Sequence, residues 1–176
     1  MVINKGHRLL LLRCRQYAEH DFVREHNAIT TANGSVWLLK AGRAISPTKL
    51  KDVMDESQCL VLKQAKADGG KYYWTKLMNV HEGFPQKGMS YPSYYSDMLS
   101  SLDGNYSKLT GTWLQIGLIH RLPKGYENKL LLLKNEKTAD EILSRTRSST
   151  LYVFAKTQLV LDENDGGESI DDNIKD

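Results

Sequence analysis

Three groups of residues have side chains suited to chemistry. The first lies in GSVWLLKAGR, residues 34–43, where Trp37 is followed by Lys40 and Arg43 just before Ser46-Pro47. A flat indole near a strand end, two cations and a helix N-terminus together suit a stacked base and its phosphate. The same residues equally fit a core tryptophan with two solvated cations. The second group is SYPSYYS, residues 90–96, which gathers Tyr91, Ser93, Tyr94 and Tyr95 around Pro92. The third is SRTRSS, residues 144–149, where Arg145 and Arg147 stand among serines that could clamp phosphate.

The aromatic residues are unevenly spread. Nine of fifteen fall between Tyr72 and Trp113, among them Trp74, and several lie in a stretch without regular pattern. Tyrosine and tryptophan offer a flat face and a polar edge, which suits a splayed base. Lys63, Lys66, Lys71, Lys76, Lys87 and Lys108 flank them, and cations interleaved with aromatics are common in nucleic-acid binding. Tyr72 and Trp74, two apart, also fit the packed face of a strand.

Motifs for nucleotide hydrolysis, the nucleophile elbow, zinc proteolysis and base deamination are all missing. His7, His20, His26, His81 and His120 are scattered, and Cys14 and Cys59 lie singly in apolar runs. No catalytic residue, metal or cofactor is therefore assigned, and both cysteines read as buried thiols. Asp52, Asp55 and Glu56 could present carboxylates together on one helix, or a solvated acidic face. A nuclease or other hydrolase with dispersed residues stays open as an alternative, as does a protein-interaction or regulatory module.

Charge sharpens the choice of partner. The chain of 176 residues carries a net charge of +3. Residues 162–176 hold seven acids and one lysine, so residues 1–161 hold 23 basic and 14 acidic side chains, a net of +9. A body this basic suits a polyanion, RNA or DNA. Composition predicts one domain over 1–161 and an acidic disordered tail over 162–176. No apolar run approaches membrane length and no secretory signal is evident, which predicts a cytoplasmic protein without a membrane partner.

These groups must be positioned by strands over 7–17, 35–40, 58–64, 71–80, 112–121, 128–133 and 150–154. Helices are predicted at 21–31, 47–56 and 138–145, with a short one at 93–102. Asp21 and Ser46 serve as N-caps, Pro47 as a first helical residue and Asn33-Gly34 as a stop. Asp68-Gly69-Gly70 marks a hairpin turn. Seven short strands with unevenly placed helices predict an α+β fold, a mixed sheet curled toward a barrel with helices outside.

The order strand, helix, Asn-Gly, GSVWLLKAGR, helix, strand, tyrosine-rich segment and GTWLQIGLI resembles the EVE branch of the PUA-like superfamily, relatives of YTH and ASCH domains. Where many EVE domains carry a Tyr-Trp pair on the first strand, this chain has Arg15-Gln16-Tyr17. The resemblance implies a small curled β-barrel with flanking helices and an aromatic pocket for a modified base. The expected function is a non-catalytic module that holds a modified or flipped base. Trp37, Tyr91, Ser93, Tyr94, Tyr95, Trp74 and Trp113 are candidates for the base, and Lys40, Arg43, Arg145 and Arg147 for phosphate.

Overall fold

The computed structural model describes residues 1–100 and 109–164. In chain order the elements are β1 (Val2–Ile3), β2 (Arg8–Cys14), α1 (Phe22–Asn33), β3 (Val36–Ala41), α2 (Pro47–Asp55) and β4 (Cys59–Gln64). They continue with β5 (Tyr72–Gly83), α3 (Tyr95–Ser100), β6 (Gly111–Ile116), β7 (His120–Arg121) and β8 (Leu130–Leu132). The last three are α4 (Ala139–Leu143), β9 (Thr150–Ala155) and β10 (Leu159–Val160).

The large sheet runs β3-β6-β5-β4-β2-β9-β8, with β7 against β5. Its β2–β4 pair is parallel and the others are antiparallel, so the sheet is mixed. The parallel pair is central because both of its faces are covered. Leu10, Leu12, Leu60 and Leu62 enter one core with Phe22 of α1 and Leu50 and Val53 of α2. Leu9, Leu11, Cys59 and Val61 enter the other, with Ala139 of α4 and Leu159. A strand buried on both faces needs a continuous apolar run, which is why residues 9–12 read LLLL.

The sheet is open: β3 and β8 end its strand order and do not pair with each other, so among the described residues no closed barrel forms. It does curl. Strand β5 pairs β4 through its first half and β6 through its second, with the register shifting between Leu77 and Asn79. An irregularity of this kind bends a strand and lets it serve two sheet halves. As a result β2 and β3, four places apart in the order, line one cleft.

Helix boundaries follow the local chemistry. The Asp21 side chain accepts from the Arg24 amide, and Gly34, at φ 83°, closes α1 with its N–H donating to the Thr30 carbonyl. Thr138 and Glu141 form a reciprocal capping box on α4. The expected strand 112–121 is instead two. The Asn27 side chain of α1 donates to the Ile119 carbonyl and accepts from its N–H, while Thr75 Oγ1 donates to the Gly117 carbonyl. Those side chains replace a strand partner and split β6 from β7. The expected strand at 128–133 begins later, because residues 126–129 form a 3-10 turn. Strands β1 and β10, two residues each and paired together, were too short to show a pattern. The predicted tail lies outside the described residues from 165 onward.

The acids at the end of α2 are held by basic partners. Glu56 accepts from the Arg8 amide at 2.6 Å and from Arg8 Nε at 2.9 Å, Asp52 accepts from Arg8 Nη1 at 2.6 Å, and Asp55 pairs with Lys51. Burial alone would raise the Glu56 carboxyl, but the Arg8 hydrogen bonds and charge hold it below the usual carboxylate range. Its contribution to stability is thus present above the ordinary carboxylate range and lost as pH falls through the lowered value. Glu56→Gln is expected to flatten the stability profile below about pH 4.3. Denaturant midpoints of the two proteins that fall in parallel down to pH 3 would refute the pairing.

Candidate nucleic-acid interface

The end of β2, the end of β3 and helix α3 enclose a cleft of about 350 Å³. Its floor is apolar: Leu12, Leu38 and Leu62 of the sheet, Phe22 of α1, and Tyr94, Tyr95 and Met98 beside them. Its rim is cationic, with Arg15 on one side and Lys40 and Arg147 on another, while Arg13, also in the lining, donates to the Leu143 carbonyl of α4. No acid lines it. A recess of this size with an aromatic floor and cations at the mouth fits a planar ring that carries negative charge outside.

The floor is held in place from beneath. Strand β3 is a sheet edge, and its outward amides need partners. The Trp37 amide donates to the Ser90 carbonyl at 2.9 Å, and the Leu39 amide bears on the Tyr95 phenol oxygen. That phenol also lies 2.5 Å from His26 Nε2, and His26 Nδ1 lies 2.6 Å from the Phe22 carbonyl. A carbonyl only accepts, so Nδ1 carries the proton and Nε2 accepts from Tyr95. His26 is fully buried, and burial pulls its pKa down to about 4. One relay therefore ties the floor residue Tyr95 to helix α1, whose first residue, Phe22, also lines the floor. Tyr94 is fixed from its other side by His20, ring centroids 4.4 Å apart, and His20 in turn pairs with Glu25 at 2.7 Å.

Beside the cleft, and sharing Lys40, Arg147 and Ser149 with it, lies a hollow of about 590 Å³. Arg43, Lys49, Ser46 and Ser148 line it too. Here α2 begins at Pro47, and the Ser46 side chain makes no capping hydrogen bond. Helix-end amides with several cations favour phosphate. Lys49 rests over the Tyr152 ring at 4.1 Å, and Lys40 donates to the Arg43 carbonyl, so both ammonium groups are pre-positioned. Burial lowers the Lys40 pKa, Glu82 opposes that, and Arg43 adds to it. Gly111 sets where β3 lies: a Cβ there would stand 2.4 Å from the Lys40 carbonyl oxygen, so only glycine lets β6 approach this closely.

The structure gathers some of the expected residues and separates others. Lys40, Arg43 and Arg147 converge on the hollow, and Tyr94 and Tyr95 line the cleft. Trp37, Tyr91 and Trp113 pack together behind them in a third apolar cluster, with Trp113 Nε1 donating to the Gly83 carbonyl at 3.0 Å. Trp74 is in the opposite core, 1% exposed, against His120. Ser93 is exposed and lines neither recess, and Arg145 lines neither. Arg13, Arg15, Phe22, Met98 and Lys49 were not singled out from the sequence, although the alternating Arg13-Cys14-Arg15 at a strand end signals emergence at a surface. Cys14 is in the cleft wall, and burial pushes its thiol, like that of Cys59, up to about 12. Both are inert thiols near neutral pH.

Among the described residues, no three His, Cys, Asp or Glu side chains converge as a metal-holding group, and no helix is long and apolar enough to cross a membrane. No family model matches the chain, and no curated protein or solved structure matches it significantly.

Proposed function

We propose that this protein is a non-catalytic nucleic-acid-binding module that takes one base, modified or flipped out, into the cleft. The observation that carries this reading is the joining of an aromatic-floored, base-sized recess to a phosphate-suited hollow through Lys40 and Arg147. The base stacks against Tyr94 and Tyr95 and their apolar neighbours, and the flanking phosphates meet Lys40, Arg43, Lys49 and Arg147. On this reading the open, curled mixed sheet with its outer helices is a variant of the PUA-like barrel, which is the expectation set by the EVE resemblance. The module acts in the cytoplasm on RNA or DNA.

A panel of modified and unmodified oligonucleotides tests it by fluorescence anisotropy. Lys40→Ala and Arg147→Ala are expected to weaken the best ligand about tenfold or more each, since a charge-assisted contact contributes about 1.5–3 kcal/mol. Thermal midpoints should stay near that of the parent. A panel in which every ligand binds both variants as it binds the parent would place the phosphate contacts elsewhere.

A further inference from the structure

The cleft is the middle of something longer. On its other side, sharing Arg13, Cys14 and Arg15 with it, is a hollow of about 620 Å³ that continues over Lys66 to Lys63. That hollow shares Lys63, Gly70 and Asp140 with a further one of about 820 Å³, where Arg121 and Lys124 stand. Four recesses thus adjoin in series, lined among the described residues by ten lysines and arginines and two acids, Asp140 and Glu127. Resting on the proposed base-binding reading, we infer that the protein binds a single strand several nucleotides long. One base turns into the cleft, and the backbone runs along cations on both sides of it.

The far arm is built like the near one. Lys63 stands over the Tyr72 ring at 4.0 Å and donates to the Gly70 carbonyl at 2.6 Å. Arg121 stands over the Tyr73 ring at 5.4 Å. Cations held on aromatic faces lose less freedom when a phosphate arrives, so they act as a preformed track. Asp140 is partly engaged already, accepting from the Tyr72 hydroxyl at 2.7 Å with Lys63 at 3.9 Å. Gln64 lines the same arm, is 8% exposed, and its Oε1 has no hydrogen-bond partner among the described residues. A base edge or ribose hydroxyl supplies the donor it lacks.

A single strand is favoured over a duplex on a specific ground. Proteins that deform a duplex commonly insert an apolar side chain between base steps. The exposed large apolar residues among those described are Val2, Met78, Phe84, Leu118, Leu133 and Val160, and none lines any of the four recesses. Nothing described is placed to fill the gap a flipped base leaves, so the base should arrive already unpaired.

The test is a length series of single-stranded oligonucleotides from one to twelve nucleotides, with a twelve-base-pair duplex, at low salt. On the parent protein, affinity is expected to climb at least tenfold from three to twelve nucleotides. Lys66→Glu and Lys124→Glu, both exposed and outside the base cleft, should weaken the twelve-mer about tenfold while leaving the trinucleotide unaffected. A trinucleotide that binds as tightly as the twelve-mer would overturn the track and leave the base cleft standing. So would a twelve-mer indifferent to both reversals. Duplex binding equal to that of the single strand would overturn the strand assignment, and failure of every oligonucleotide to bind would overturn the base-binding reading with it.

Discussion

Acidifying the protein from pH 7.5 to pH 4.5 is expected to cost about 2–3 kcal/mol of folding stability through one residue, His26. Its imidazole is fully buried between the Phe22 carbonyl and the Tyr95 hydroxyl, and its folded pKa is pulled down to about 4. In the unfolded chain it titrates near 6.5. Between those values the unfolded state binds a proton that the folded state refuses. Stability is complete above about pH 6.5 and declines as pH falls toward 4. His26→Gln keeps a donor and an acceptor at the site and no titration. It should be less stable than the parent at pH 7.5, and its urea midpoint should change little between pH 6.5 and 5, where Glu56 is still ionised. Parallel parent and variant profiles across that window would show that His26 is not the titrating group. Protonation also removes the lone pair that receives the Tyr95 hydroxyl. The folded protein takes that proton only as pH falls through about 4, so ligand affinity should hold where stability declines and fall near pH 4, since Tyr95 forms part of the cleft floor.

The parts of this fold that were legible in the sequence are those in which one residue's chemistry decides the outcome. Asp21, Gly34 and Pro47 mark helix ends because caps act within a single turn. The LLLL run at 9–12 marks a strand covered on both faces. What was not legible depends on partners distant in the chain. Nothing near Gly117 announces that Asn27 will break the strand, and nothing near Tyr17 announces that β2 ends opposite β3. The site divides in the same way. Trp37 and Lys40 are neighbours in sequence, but side chains alternate across a strand. Trp37 shares its face with Leu39 and Ala41 in the cluster behind the cleft, while Leu38 faces the α1 and α2 core. Sequence proximity grouped a tryptophan with cations that the pleat separates. The serine-arginine segment was harder still to read, because Arg147 joins the site only where β9 begins beside β2.

Raising salt from 50 to 200 mM is expected to weaken single-strand binding about 100-fold. Each phosphate neutralised on a single strand adds about 0.7 to the slope of log affinity against log salt, and about five contacts give a slope near 3.5. Removing residues 162–176, with their seven acids and one lysine, should strengthen binding several-fold at 50 mM and hardly at all at 200 mM. The geometry at the start of that segment supports competition. The Leu161 amide donates to the Met1 carbonyl, and Glu163 is near enough to His120 to oppose the fall in its pKa that burial causes. Arg121 and Leu122, directly after His120, line the far end of the track. Glu163 therefore lies beside cations that the acids of this segment would screen. Leu161 is retained in the truncation because it is almost fully buried, which keeps the fold and isolates the charge effect. Equal affinities of the full and shortened chains at 50 mM would mean the acids do not reach the track. A slope near zero in both would mean that phosphates are not what these cations bind.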